Sequence, residues 1–347
     1  MSLPEISTNS GLVLNDVKVV IRKGLKIGYK HYEKGIYASD EIYLIHNESG
    51  ILVSEIPVGF LERGYQYSNR YSPILEMKPD VDLSSAILMY SNEYCHQNYE
   101  HLLLDVFPKV FVHLEELKEN EVKFIIPTSK FTPLISEFLL LLGFENDALL
   151  IVDRDFVAKV GHLYEFVSNA TYPFDDRPAE FYSFLCALFS KRSNQQNTET
   201  KKIFLGRLEG ERTGKGRYIS NFDEVKSFLD KNEFSIVDVA SMGFLEKSEA
   251  LSNSEIVITE IGANCNNVLI STGIEKFLMI GHNKWRKEFY KTIFDSNNPT
   301  SESEILLFEP VNPNHDVYNS KENVNIPYFI EIEKLANTVE IMLNGGN

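Results

Sequence analysis

Cysteine is scarce in this chain, and positive charge is outweighed. Its three cysteines, Cys95, Cys186 and Cys265, are odd in number, far apart and without metal-ligand spacing. That excludes a disulfide framework or a zinc knuckle and predicts buried thiols in a reducing cytoplasm. The formal net charge is −16. A mean field of that sign repels phosphate, which argues against a general nucleic-acid or anionic-membrane binder, yet leaves room for a local basic pocket around one phosphorylated ligand. Long apolar runs are missing as well. The longest candidate, PLISEFLLLLGF, is interrupted by Ser136 and Glu137 and falls short of the roughly 18 to 20 apolar residues of a spanning helix. The opening MSLPEISTNSGLVLND has neither a basic start nor an apolar run, so no signal peptide is expected and peripheral membrane contact stays open. A GxGxxG turn is absent, which removes the best support for a nicotinamide-dependent oxidoreductase.

The rest is ordinary for a folded α/β protein. Of the 347 residues, 43% are hydrophobic and 24% charged, enough chain for two domains. Residues 1–80 alternate short apolar runs (VKVVI, EIYLIHNESG, ILVSEIPVG) with turn signals and predict a β-rich segment. From SSAILMYS the rhythm becomes strand–helix. AILMY reads as a strand, and NYEHLLLDVFPKVFVHLEEL as one helix with Leu103, Val106, Val110 and Leu114 on a face. VKFIIP, ALLIVD and HLYEF follow as strands, with PLISEFLLLLG a helix ending at Gly143. The polar stretch NQQNTETKK reads as a connector. A second series then begins, with strands KIFLGR, FSIVDV, EIVITE and KFLMIG, helices NFDEVKSFLDKN and GFLEKSEALSNS, and a final amphipathic helix in YFIEIEKLANTVEIML. The expected organisation is a β-rich segment over 1–80, a Rossmann-like domain over 81–175 and a second over 176–347. The last helix is a candidate to pack back on the first of these domains.

Three stretches hold residues suited to chemistry. KKIFLGRLEGERTGKGR carries six basic side chains, among them Arg207, Arg212, Lys215 and Arg217, against two acidic ones, a local +4. Guanidinium groups bind phosphate oxygens in pairs, so a strand-end arginine followed by a glycine-rich basic loop suits a diphosphate. In TEIGANCNNVLISTG, Gly262 and Ala263 allow close backbone approach to a ligand. Asn264, Asn266 and Asn267 can bond ribose, base or sugar hydroxyls, or cap a helix. Glu260, just before that turn, is a candidate ligand-binding or catalytic carboxylate. In NYEHLLLDVFPK, His101 and Asp105 stand four apart, one face of an α-helix. A carboxylate there fixes the imidazole tautomer and raises its basicity, as a general base requires. A plain helix-stabilising pair has the same spacing, and Asn98 has the form of a helix cap.

In this order and register, NYEHLLLDVFPK, IFLGR, RYISNFDEV and TEIGANCNNVLISTG resemble glycosyltransferase family 61 over about residues 90–340. Asn98, His101, Asp105, Arg207, Arg217, Asn221, Gly262, Ala263 and Asn267 match its motifs residue by residue. Gly206 stands where the family has Ser, Phe222 where it has Glu, and Ile261 where many members carry His. The resemblance implies a GT-B-like fold of two facing Rossmann-like domains, here with the N-terminal β-rich extension. It also implies inversion at the anomeric carbon and no metal or other cofactor. The implied substrates are a nucleotide sugar, with uridine diphosphate as leaving group, and a saccharide acceptor on the path to a surface polysaccharide or lipopolysaccharide. In that frame Arg207, Arg212, Lys215, Arg217, Asn221, Gly262, Ala263, Asn264 and Asn267 hold the donor. Asn98 lies on the acceptor side, His101 oriented by Asp105 is the first choice of base, and Glu260 is the second. The Asp153-Arg154-Asp155 triplet has the form of a metal motif but sits in the other half of the chain from the basic loop. The alternative, favoured by Ile261, is a carbohydrate- or nucleotide-binding protein of the same fold without turnover.

Overall fold

The computed structural model describes residues 11–22, 41–46, 52–53, 77–89, 99–166, 179–191, 202–206, 218–239, 242–252, 254–271, 273–283, 288–298, 300–311 and 327–344. The chain divides into two compact units, Met1–Arg177 and Pro178–Asn347, each built on a sheet rich in parallel strands. Among the described residues no helix is long and apolar enough to cross a membrane.

The first unit holds one seven-stranded sheet in the order β3-β2-β1-β7-β4-β5-β6. Its strands are β1 (Gly11–Arg22), β2 (Glu41–His46), β3 (Leu52–Val53), β4 (Val81–Leu88), β5 (Lys123–Pro127), β6 (Leu149–Val152) and β7 (Phe156–Phe166). β7, β4, β5 and β6 run parallel. β1 joins β7 antiparallel, and β2 and β3 continue that half as a meander. The strands of the N-terminal β-rich segment are thus continuous with the strand–helix series. Val17, Val19 and Ile21 of β1 share a core with Ala86, Leu88, Ile125, Ala158 and Val160.

At the seam between the two halves, Gly161 of β7 lies against β4. A Cβ there would meet the Ser84 carbonyl oxygen at 2.8 Å, and a backbone atom paired in a sheet cannot step aside. Gly161→Ala is expected to lower stability by about 1–3 kcal/mol, the usual cost of overpacking, read as a lower denaturation midpoint. An unchanged midpoint would show that the strands separate there without cost.

The helix expected over 98–117 is interrupted. α1 (Tyr99–His101) passes into a π-helical turn, Leu102–Val106, then into α2 (Phe107–Val112) and, after a break at His113, α3 (Leu114–Glu119). Pro108 supplies the reason. It has no N–H to offer the Leu104 carbonyl and its ring crowds that group, and widening the preceding turn relieves both. α4 (Thr132–Leu141) ends as its sequence predicts, with Gly143 at φ +95°. Phe144 N–H donates to Leu139 O at 3.2 Å and Gly143 N–H to Leu140 O at 3.0 Å, the paired bonds of a Schellman cap.

The second unit is a doubly wound parallel sheet of β8 (Lys202–Leu205), β9 (Ser235–Val237), β10 (Ile256–Glu260), β11 (Lys276–His282) and β12 (Glu302–Phe308). The spatial order is β12-β11-β10-β8-β9. Two of the three inner strands, IVITE and KFLMIGH, are buried almost throughout, as parallel strands covered on both faces must be. On one face Phe204, Ile256, Ile258, Leu278 and Ile280 pack with Val225 and Leu229 of α6 (Phe222–Lys231). α5 (Ala179–Ser190), α7 (Phe244–Ser252) and α8 (Glu288–Asn297) belong to the other, where Phe189 stacks on Phe244 and Phe294 packs on Phe277. The final helix, α9 (Ile332–Asn344), lays Leu335, Val339 and Met342 on the core of the unit that carries it. It starts four residues later than the run from Tyr328 suggests. Residues 327–331 lie outside the helix, and Tyr328 bridges both Ile219 and Pro310.

Candidate functional site

Counted within the second unit, the strand order reads 2-1-3-4-5. In a sheet of that order, ligands bind beyond the carboxyl ends of the first and third strands, where the connections diverge to opposite sides. Those strands are β8 and β10. They are neighbours, with Leu205 paired to Thr259, and the Thr259 hydroxyl donates to Leu205 O at 3.1 Å. Two candidate stretches far apart in sequence therefore begin at one place. Gly206 and Arg207 follow β8 directly, and Glu260 to Ala263 close β10. Arg207, Arg212, Lys215 and Arg217 lie outside the described residues, so their place rests on the strand that delivers them.

The turn after β10 has its own geometry. Gly262 adopts φ 152° and ψ −165°, a region that only glycine enters without strain. Ile261 before it is buried and packs on Gly281 of β11, where a Cβ would come within 2.9 Å of its Cδ1. The segment Ala263–Ile270 is a 3-10 helix of 8 residues, long for a form that is normally confined to a turn or so. Ala263 and Asn264 are half-buried. Asn267 is buried and donates through Nδ2 to Asn264 O at 2.9 Å, the three-residue reach that 3-10 geometry favours.

Three polar atoms of this stretch are buried without a partner among the described residues: Glu260 Oε1, Asn266 Nδ2 and Asn267 Oδ1. Glu260 is not the exposed strand-end acid that its position suggests, being only 6% exposed. Its Oε2 accepts a hydrogen bond of 3.2 Å from the Tyr328 hydroxyl. Native interiors pair nearly all such groups, so each of these atoms calls for a partner that the described residues do not supply.

Asn221 does its bonding inside the protein. Its Oδ1 accepts from Ile330 N–H at 3.0 Å, and its Nδ2 donates to Ile330 O at 2.9 Å and to Glu224 Oε2 at 3.1 Å. The amide thereby imitates a strand partner. It fastens residues 328–330 to the chain just after the basic loop, so any influence on a ligand passes through that loop.

On the N-terminal side, Asn98 lies outside the described residues. The backbone places His101 at the end of α1 and Asp105 within the π-turn. Their spacing of four thus falls on a turn closed by i→i+5 bonds, a feature common at functional sites. Around them, Leu102, Leu103, Leu104, Val106 and Lys109 are buried. The neighbouring Tyr99 has its pKa raised above the ordinary tyrosine range, first by burial and then by the charge of Glu137, so it stays a neutral phenol. Burial pushes the Cys186 thiol up to about 11, and the thiol donates to Leu269 O at 3.4 Å. A thiol so protected is no nucleophile at neutral pH. The Asp153-Arg154-Asp155 triplet lies exposed between β6 and β7.

Sequence reasoning passed over Tyr328 and His282. The run from Tyr328 reads as part of the final helix, and His282 lies one residue past the end of the strand KFLMIG. Both are buried at 1% exposure, with ring centroids 6.0 Å apart. No local signal marks Tyr328, because Pro327 is equally compatible with a helix that begins just after it.

No curated protein matches the chain. Residues 99–273 match the family model for Glycosyltransferase 61, half of the whole length and the stretch from α1 through the Gly-Ala-Asn turn. The chain belongs to glycosyltransferase family 61.

Proposed function

We propose that the protein is an inverting glycosyltransferase that moves a sugar from a nucleotide sugar, with uridine diphosphate as leaving group, to a saccharide acceptor. A surface polysaccharide or lipopolysaccharide is the product class that this reading favours, with the enzyme working in the cytoplasm. The observation that carries it is the meeting of β8 and β10 at the switch point of the second unit, in a chain that belongs to a glycosyltransferase family. One strand leads into a basic loop, and the other ends in a carboxylate, a glycine in a conformation that only glycine adopts freely, and buried amides.

The step is a single displacement. The acceptor hydroxyl gives its proton to a base as its oxygen bonds to the anomeric carbon. The bond from that carbon to the diphosphate oxygen breaks, and the electron pair leaves with the diphosphate. Arg207 and the loop through Arg212, Lys215 and Arg217 stabilise that charge as it develops. Gly262 lets the backbone approach the phosphates, and Ala263, Asn264 and Asn267 line the ribose or sugar. His101, oriented by Asp105, is the proposed base, with Asn98 beside the acceptor. Glu260 belongs to the donor turn.

A thermal-shift screen of nucleotides and nucleotide sugars is the first test, because a ligand that binds only the native state must raise its melting temperature. The reading expects a shift with at least one nucleotide sugar, together with slow hydrolysis of it when acceptor is absent. Binding without any turnover would favour the non-catalytic alternative. Arginines in the role of the cation also predict that turnover survives saturating chelator. Complete loss restored by manganese or magnesium would move the bet to Asp153 and Asp155.

A further inference from the structure

We infer that Glu260 reads a hydroxyl of the donor substrate, and that Tyr328 is the positioning residue that holds it ready. The inference rests on the donor reading above and deepens it. Ile256, Ile258 and Glu260 alternate along β10 onto one face of the sheet, and the two isoleucines belong to a core that also contains Phe204, Ile280 and Tyr328. The carboxylate therefore caps an apolar core instead of facing water. One oxygen is engaged by the Tyr328 hydroxyl at 3.2 Å, and the other is buried with no partner among the described residues.

The chemistry of the missing partner follows from what a carboxylate does. It accepts hydrogen bonds and donates none, so its complement must be a donor. Phosphate oxygens are excluded, because they only accept and carry the same charge. At the end of a strand beside one leading to a diphosphate loop, the donors that flank the diphosphate are hydroxyls, of the ribose on one side and of the transferred sugar on the other, whereas the nucleobase N–H groups lie beyond the ribose. Asn266 Nδ2 and Asn267 Oδ1, also buried and without a partner among the described residues, add one donor and one acceptor in the next seven residues. Hydroxyls, which both give and accept, match such a set.

Tyr328 is fixed from several sides. Its N–H donates to Tyr218 O at 3.1 Å, and its carbonyl accepts from Ser220 N–H at 2.8 Å and from the Ser220 hydroxyl at 3.0 Å. Two residues on, Asn221 holds Ile330 by both backbone groups. All of these anchors follow the basic loop directly in sequence. Tyr328 thus holds Glu260 Oε2 from a position set by the same stretch that ends the diphosphate loop.

The test is calorimetric titration of wild type, Glu260→Gln and Tyr328→Phe. The probes are the uridine, cytidine, adenosine and guanosine diphosphates, their 2′,3′-dideoxy counterparts, and UDP-glucose and UDP-N-acetylglucosamine beside uridine diphosphate. In Glu260→Gln the Tyr328 hydroxyl draws the amide oxygen to its own side, so an NH2 group replaces the free acceptor. Wild type should favour a ribonucleotide over its dideoxy form by about tenfold or more, the worth of one hydrogen bond to a charged group. Glu260→Gln should cut that preference severalfold, because the amide can meet the hydroxyl only as a neutral donor, and leave dideoxy affinity unchanged, while Tyr328→Phe should reduce it less. A merely structural tyrosine would weaken both forms alike. If Glu260→Gln instead cuts a preference for nucleotide sugar over bare diphosphate, the hydroxyl belongs to the transferred sugar and the inference holds. Should both preferences survive undiminished in Glu260→Gln, Glu260 reads no hydroxyl and the inference is overturned. Failure of wild type to bind any probe sinks the donor reading, and this inference with it. If Glu260→Gln does not fold, Tyr328→Phe decides by the same ratio.

Discussion

Arg207→Ala should weaken binding of the nucleoside diphosphate on the order of a hundredfold or more, and Arg207→Lys should recover only part of that. A guanidinium meets phosphate through two parallel charge-assisted bonds, each worth about 1.5–3 kcal/mol. The ammonium of lysine keeps the charge and loses the fork. β8 pairs with β10 up to Leu205–Thr259, and Gly206, next in line, is already buried. Only one residue separates the buried strand end from the arginine. Calorimetry with the diphosphate alone separates this effect from any on the sugar or the acceptor. Full affinity in Arg207→Ala would remove the arginine from the site and leave the loop as surface charge.

What could be read from the sequence follows what each signal depends on. Inner strands such as IVITE and KFLMIG announce themselves because a parallel strand must be apolar on both faces, a local requirement written in consecutive residues. The end of α4 was equally legible, since Gly143 alone accepts the φ that its cap needs. ESEILLF and EFYKTIFDSN were passed over, although Leu306 with Phe308 and Tyr290 with Phe294 carry the periods of a strand and a helix. The helix over 98–117 was read as regular because its apolar spacing is helical. Pro108 widens one turn without disturbing that spacing, so periodicity cannot show it. The proline itself could have. The two stretches proposed to hold the donor stand apart as motifs in the sequence, and only strand order shows that they start side by side. The partner of Glu260 was the least legible feature, for Tyr328 lies 68 residues away. It arrives there because Asn221 and Ser220 pin a segment whose composition suggested a helix.

The proposed base, His101, carries the other large effect. His101→Ala should lower turnover by roughly 10²–10⁴-fold, the range typical of losing a positioned base. The affinity for the donor should hardly move, since every residue proposed to hold the donor belongs to the second unit and His101 to the first. Asp105→Asn is the informative companion. It preserves size and one acceptor but removes the charge proposed to raise the basicity of the imidazole, so its loss should be smaller than that of His101→Ala. It should also move the acidic limb of the rate profile to lower pH, because an imidazole without its carboxylate is protonated less readily. The π-turn that contains Asp105 sharpens the contrast. Pro108→Ala restores an N–H for the Leu104 carbonyl and permits a regular α-turn. If the wide turn sets the spacing of the pair, this variant should lose turnover while keeping donor affinity and gaining helix stability. Near-normal turnover in His101→Ala would reduce the pair to helix scaffolding. Loss of donor binding and of folding together would instead make the histidine structural.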